Sequence, residues 1–152
     1  MPKRDLEFFI IDMLVAINTI QRKTKSITTP ESLLQNEDAW LSVTRSLEIV
    51  GEAMKNILIS KQLNQEWINP EWRYVVDFRN VVTHEYFGLN VEQIFDIVKN
   101  DIISLEKELL LLLKKIPQKE AILAAIRHAI IDLQKAHRIE SIEYLKTIAS
   151  KI

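Results

Sequence analysis

The chain has 152 residues, of which 47% are hydrophobic and 27% charged, and its formal net charge is −1. This length and apolar content predict one folded domain of ordinary size rather than a disordered chain. The absence of cysteine excludes disulfides, zinc–thiolate sites and thiol nucleophiles, and two glycines are too few for a Gly-rich phosphate loop and sheet turns. The near-neutral charge lacks the strongly basic balance typical of nucleic-acid binders, although it permits a local basic patch.

The hydrophobic period is helical along almost the whole chain, beginning with the first predicted helix. Its apolar residues follow the i, i+3, i+4, i+7 spacing of one helical face: Leu6, Phe9, Ile10, Met13, Leu14, Ile17 and Ile20. The polar segment 22–26 ends this helix. Thr29 as N-cap and Pro30 at the first helical position then predict a second start, followed by a short helix or turn through Leu34.

A long helix is predicted from about Asp38 to Ser60. Its apolar face carries Trp40, Val43, Leu47, Val50, Met54 and Leu58. Gly51 interrupts it at a cost of about 1 kcal/mol against alanine, and close packing on another helix is the expected reason. Asn69 and Pro70 predict the start of a further helix that runs toward Val82.

The second half of the chain continues the same pattern. Asn90 and Gln93 resemble a capping box, and Pro117 ends the helix that they open. The apolar face of that helix carries Ile94, Val98, Ile102, Leu105, Leu109 and Leu112. A last amphipathic helix, or a pair of helices, is predicted over residues 119–152.

These elements predict an all-α fold. We expect an up-down bundle of four main helices over residues 1–116 and a C-terminal helical extension over residues 117–152. The longest apolar run, Leu109 to Leu113, is far shorter than the roughly 20 residues of a spanning helix, and the N-terminal helix is amphipathic rather than a signal-peptide core. We therefore expect no membrane association and a cytoplasmic location.

The densest group of reactive side chains lies in the segment 79–86, which reads Arg-Asn-Val-Val-Thr-His-Glu-Tyr. Arg79 and His84 are five residues apart, about 140° around a straight helix with 3.6 residues per turn. Either the helix loosens before Tyr86, or the two groups converge with copies from another subunit. Asn80 and His84 are four residues apart and share a face, so Asn80 is placed to orient the imidazole.

An arginine and a histidine without a metal, a thiol or a paired carboxylate fit RNA cleavage. Attack of a ribose 2′-OH on its own phosphate needs a base that works near neutral pH, which imidazole supplies. It also needs a cation to stabilise the phosphorane, which a guanidinium supplies through fixed planar donors. A histidine near a helix end is more often structural, so the residue types alone leave both roles open.

Two motifs strengthen this interpretation. Arg79-Asn-x-x-x-His84-x-Tyr86, with the turn that follows it, resembles the R-x4-H-x-Y signature of HEPN domains, in particular the HepT-like toxins of prokaryotic toxin–antitoxin pairs. Residues 45–55 resemble the R-x-L-E-x-x-G-E-A-x-K segment of the preceding helix in that family. The resemblance covers roughly residues 5–115 and excludes the tail after Pro117.

The resemblance implies a metal-independent endoribonuclease that works without a cofactor as a symmetric homodimer on an RNA substrate. Arg79 and His84 would be catalytic, with Asn80 and Arg45 in support. Tyr86 matches the tyrosine to which a cognate nucleotidyltransferase antitoxin of the MNT type transfers AMP. Added bulk and negative charge at that position would switch the toxin off.

Several other side chains have a structural interpretation that we prefer. Glu48 and Glu52 are spaced for a carboxylate metal pair, but no Glu-x-x-His repeat supports one, so no metal site is predicted. Arg45 either pairs with Glu48 or lies beside the cleft. Core or interface packing is expected, rather than base stacking, for Trp40, Trp67 and Trp72. Solvated or capping roles are expected for His128 and His137. A solvated face is expected for the basic residues Lys3, Arg4, Arg22, Lys23 and Lys25, which could track RNA only if they flank the Arg79 cleft.

Two other classes of function stay open at this point. A non-catalytic HEPN module that binds nucleotide or a protein partner predicts a damaged Arg–His motif, whereas the motif here is intact. A metal-dependent phosphohydrolase needs clusters of carboxylate and histidine ligands, and the sequence offers few of them.

Overall fold

The structure is a computed structural model that describes residues 5–83 and 90–152. Within these residues the fold is an all-α bundle without β-strands, as predicted. The helices are α1 (Leu6–Lys23), α2 (Pro30–Gln35), α3 (Glu37–Ser60), α4 (Trp72–Thr83), α5 (Val91–Asp96), α6 (Ile102–Lys115), α7 (Lys119–Lys135) and α8 (Ile139–Ala149). No helix in the described ranges is long and apolar enough to span a bilayer.

Local capping signals determine where α2 and α3 begin. The Thr29 hydroxyl accepts a hydrogen bond from the Ser32 amide at 3.1 Å, and the Ser32 hydroxyl accepts one from the Thr29 amide at 3.2 Å. This reciprocal arrangement confirms Thr29 as the N-cap of α2. Asn36 ends α2 and also caps α3, because its Oδ1 accepts from the Ala39 amide at 3.0 Å. α3 therefore begins at Glu37, one residue before the predicted start.

The start of α4 differs from the prediction. Asn69 Oδ1 accepts from the Glu71 amide at 2.9 Å, so Asn69 caps a turn, and α4 begins only at Trp72 instead of Pro70. Glu108 on α6 holds this turn from the other side. Its carboxylate accepts from Asn69 Nδ2 at 2.8 Å and from the Trp72 indole N–H at 2.7 Å. A long-range contact thus adds to the local capping signal at this helix start.

The core is built around α3, which packs between α1 and α4. The predicted apolar face of α1 is buried, except for the partly buried Phe9, and Ile11 and Ala16 are buried beside it. On α3, Val43, Leu47, Val50 and Met54 are buried, while Trp40 and Leu58 at the ends of the predicted face are half-buried. The helical periodicity therefore identified the core-facing side of both helices.

The predicted helix that follows Asn90 is divided in two. Asn90 Oδ1 accepts from the Gln93 amide at 3.0 Å and caps α5 as expected. A wide, π-helical turn, Ile97–Asp101, then separates α5 from α6. All six predicted apolar residues of this segment are nevertheless buried. α6 ends at Lys115, just before Pro117, also as expected.

The C-terminal segment forms two helices, α7 and α8, which pack on α1. Arg22 at the end of α1 forms an ion pair with Glu140 and donates to the Ser141 hydroxyl at 3.1 Å. The Tyr144 hydroxyl donates to Glu106 on α6 at 2.7 Å. Apolar residues of α7 and α8 belong to the same hydrophobic cluster as those of α1 and α3. The assignment of residues 117–152 to a separate unit stays a prediction.

Candidate functional site

The crossing of α3 and α4 positions the backbone of Arg79. A Cβ atom added at Gly51 would lie 3.2 Å from Arg79 Cβ, 3.2 Å from the Arg79 nitrogen and 3.2 Å from the Val76 carbonyl oxygen. Such contacts are tighter than side chains normally make, so the missing Cβ lets the two helices approach closely. Close helix packing, the expected reason for Gly51, is therefore confirmed.

The guanidinium of Arg79 lies at the protein surface and contacts Glu52, the residue that follows Gly51 on α3. Arg79 Nη1 donates to Glu52 Oε2 at 2.9 Å, and the two side chains are 51% and 49% exposed. This ion pair between two helices was not predicted from the sequence. The signal in the sequence that could have indicated this pair was Gly51. A glycine lets two helices cross closely, so the next residue of α3, Glu52, comes near the opposite helix.

The remaining residues of the predicted motif are only partly described. Asn80 is exposed and follows Arg79 on α4, which continues as a regular helix to Thr83. His84 and Tyr86 lie outside the described residues. The convergence of Arg79 with His84, and the orientation of the imidazole by Asn80, therefore stay predictions.

Arg45 forms the local ion pair that its spacing allowed. Its Nη1 lies 3.3 Å from Glu48 Oε2, and the Arg45 side chain is 72% exposed. Glu52 follows Arg45 by seven residues, or nearly two full turns, and so lies on almost the same side of α3. Arg45, Glu48 and Glu52 therefore form a charged strip on α3, whose far end contacts Arg79.

The two carboxylates considered as a metal pair each contact an arginine. Glu48 pairs with Arg45, and Glu52 pairs with Arg79. Across residues 5–83 and 90–152, no group of three or more histidine, aspartate or glutamate side chains is close enough to hold a metal ion. The described part of the chain thus gives the carboxylates of α3 a role as arginine partners.

The tryptophans serve packing in the described structure. Trp72 is 3% exposed, and Trp40 and Trp67 are half-buried against the hydrophobic cluster. Among the basic residues at the ends of α1, Arg22 is held by α8, Lys23 and Lys25 are exposed, and Lys3 and Arg4 lie outside the described residues.

The two C-terminal histidines have surface positions. His128 is 63% exposed along its side chain, contacts the edge of the Phe8 ring at a centroid distance of 5.3 Å, and lies 3.7 Å from Asp132. His137 lies in the turn between α7 and α8, with a positive φ of 55°. These positions agree with the solvated or capping roles expected for both.

Comparison with known proteins identifies the family. Residues 13–112, which contain both the Arg45 segment and the Arg79 motif, match the family model described as "Ribonuclease HepT-like". The chain belongs to the HepT-like ribonuclease family. The resemblance seen in the sequence is therefore confirmed, and the family supports ribonuclease activity acting on RNA.

Several proteins named as ribonucleases are similar to this chain. The chain is 34% identical to "Putative RNase MJ1380" of Methanocaldococcus jannaschii over 71% of this chain and 96% of that protein. It is 36% identical to "Putative RNase MJ0127" of the same organism, over 76% and 93% of the two chains. It is 35% identical to "Probable ribonuclease HepT" of Thermococcus cleftensis, over 68% and 92%. No solved structure matches the chain.

Proposed function

We propose that this protein is a metal-independent endoribonuclease toxin whose catalytic residues are Arg79 and His84. The observation that carries the proposal is the half-exposed guanidinium of Arg79, held at the α3–α4 crossing of a chain from a ribonuclease family. Arg79 precedes His84 by five residues, as in the signature motif. The exposed part of its side chain can contact an anionic substrate such as an RNA phosphate.

The proposed reaction is an internal transesterification. His84 accepts the proton of a ribose 2′-OH, and the 2′-oxygen attacks the adjacent phosphorus. The bond from phosphorus to the 5′-oxygen breaks, and that oxygen takes up the proton that His84 accepted, which restores the neutral imidazole. The products are a 2′,3′-cyclic phosphate and a 5′-hydroxyl. Arg79 stabilises the negative charge of the phosphorane, and Asn80 orients the imidazole.

The active form is proposed to be a homodimer with a composite cleft. If the helix continued regularly to position 84, Arg79 and His84 would point about 140° apart. Two copies related by a two-fold axis would then supply groups that one chain cannot direct to one point. Two Arg79 side chains then lie close together, and the phosphate backbone of RNA neutralises their charge. Arg45 supports this cleft from the charged strip on α3.

Regulation is proposed to act through Tyr86. A cognate nucleotidyltransferase antitoxin would transfer AMP from ATP to the Tyr86 oxygen and release pyrophosphate. The new phosphodiester adds bulk and negative charge near the cleft, so it repels the RNA backbone. Toxin, antitoxin and RNA would meet in the cytoplasm.

The test of catalysis is RNA cleavage in the presence of EDTA. We expect His84→Ala to reduce the rate by about 10²–10⁴-fold, the usual contribution of a general base or acid, and Arg79→Ala by about 10²-fold. His128→Ala is the matched control, because His128 is an exposed histidine on α7. It is expected to keep wild-type activity. Equal rates for wild type and His84→Ala refute the catalytic assignment, and the non-catalytic module then becomes the better description.

The test of regulation is mass spectrometry of the Tyr86 peptide. The protein is incubated with its cognate antitoxin and ATP, with Tyr86→Phe as the control. We expect a gain equal to one or more AMP units on the wild-type peptide, together with loss of cleavage. An unchanged peptide mass would rule out Tyr86 as the regulated residue.

A further inference from the structure

Arg79 is held at both of its ends by consecutive residues of α3. Gly51 leaves space for the backbone of Arg79, because a Cβ atom at position 51 would lie 3.2 Å from the Arg79 nitrogen and 3.2 Å from the Arg79 Cβ. Glu52 accepts a hydrogen bond from the guanidinium at 2.9 Å. The residues of this contact are 27 positions apart in sequence, so it depends on how α3 and α4 pack.

This ion pair contributes little to fold stability. The side chains of Arg79 and Glu52 are about half exposed, and exposed pairs of this kind typically contribute 0.2–1 kcal/mol, roughly. An arginine side chain, however, has about 2 kcal/mol of rotamer entropy. A carboxylate that fixes one guanidinium nitrogen removes much of this freedom before substrate binds. The larger effect of Glu52 is therefore on where the cation points.

We propose that Glu52 is a positioning residue that orients the Arg79 guanidinium for the phosphorane and balances its charge in the unliganded cleft. This inference rests on the proposed ribonuclease function. In the composite cleft, each protomer brings one Arg79 and one Glu52, so the repulsion between the two cations is reduced while RNA is absent. The Gly51–Glu52 pair of the α3 motif then acquires a specific purpose: the first residue positions the backbone of Arg79, and the second its charged end.

Two opposite effects on kinetics follow from this role. Removing the Glu52 carboxylate takes a negative charge away from the RNA path, so RNA binding stays equal or becomes tighter. Loss of orientation lowers the rate of the chemical step, because displacement of a catalytic group by about 1 Å can cost up to about 10²-fold. A role confined to fold stability does not separate kcat from KM in this way.

The experiment uses the full chain and a fluorescence-quenched single-stranded RNA reporter in EDTA. We expect Glu52→Ala to lower kcat about tenfold, with KM unchanged or lower. Glu52→Gln keeps an oxygen acceptor for Arg79 without the charge, and it is expected to recover most of the lost kcat. Glu143→Ala is the matched control, because Glu143 forms an exposed ion pair with Lys146 on α8. This variant is expected to behave as wild type.

A second readout needs no turnover. Binding of fully 2′-O-methylated RNA is measured by fluorescence anisotropy, and Glu52→Ala is expected to bind at least as tightly as wild type. Weaker binding by Glu52→Ala, a wild-type kcat, or a fall in kcat matched by a rise in KM would overturn the positioning role. If Arg79→Ala cleaves RNA at the wild-type rate, the proposed function itself fails. If Arg79→Ala is inactive while Glu52→Ala equals wild type, only the inference about Glu52 fails.

Discussion

Replacement of Gly51 by alanine tests the close approach of α3 and α4. The change has two opposing effects on the free energy of unfolding. Alanine improves helix propensity by about 1 kcal/mol. Its Cβ, however, would meet three atoms of α4 at 3.2 Å, and two of these are the backbone atoms Arg79 N and Val76 O. A side chain can rotate away, but backbone atoms move only with the helix. Overpacking of this kind costs about 1–3 kcal/mol.

We therefore expect Gly51→Ala to lower the free energy of unfolding by about 1 kcal/mol, which corresponds to a fall in Tm of about 2–4 °C. Because α4 must shift outward, Arg79 moves as well, and kcat for RNA cleavage is expected to fall. Unfolding in urea, followed by circular dichroism, measures the stability, and the RNA reporter measures kcat.

The matched control is Ala124→Gly. Ala124 is exposed in the interior of α7, so this change reports the propensity difference without a steric contribution. It is expected to cost about 1 kcal/mol. Suppose instead that Gly51→Ala raises the free energy of unfolding by about 1 kcal/mol, equal in size and opposite in sign to the control, and cleaves RNA at the wild-type rate. Then α4 accommodates the methyl group, and the steric argument is wrong.

Two further predictions concern titratable groups in the described structure. Burial, together with the hydrogen bond and charge of Glu106, raises the pKa of Tyr144, so the stabilising contribution of Tyr144 is present below pH 10 and is lost as pH rises through the folded-state pKa. Tyr144→Phe is expected to lower the free energy of unfolding in urea by about 1 kcal/mol at pH 8 and by less at pH 10.5. An equal loss at both pH values would contradict this prediction. Desolvation and the charges of Asp96 and Glu71 disfavour the ionised form of Asp101 and raise its pKa, so the folded state loses stability as pH rises and this group ionises. Asp101→Asn is expected to raise Tm at pH 7 but hardly at pH 4. A lower Tm for this variant at pH 7 would refute the prediction.

Helix starts were predictable where the local capping signal alone determined them. Thr29 and Asn90 cap α2 and α5 as their sequence context indicates. Asn69 carries the same signal, yet its side chain caps a turn, and α4 begins at Trp72. Glu108, 39 residues from Asn69, binds both ends of that turn. A one-dimensional pattern does not contain this contact.

The candidate site shows the same division. The pair Arg45–Glu48 was one of the two alternatives for Arg45, because the residues are three positions apart on one helix. The pair Arg79–Glu52 joins two helices. From its spacing, Glu52 was considered only as one half of a metal pair. Gly51 indicated that some helix packs closely there, but not that the partner was α4 at Arg79. Pairing across helices requires the packing itself.

The burial of α1 carries information about a distant part of the chain. Viewed down the helix axis, with 100° per residue, the buried residues of α1 cover an arc of roughly 220°. Ala16 lies at one edge of this arc, Ile11 at the other and Ile17 near the middle. A helix on the edge of a bundle needs a narrower apolar arc. The width arises because α1 lies between the bundle and the α7–α8 pair. Gain or loss of those two helices during evolution would therefore require compensating polar or apolar substitutions on α1, more than a hundred positions earlier in the gene product.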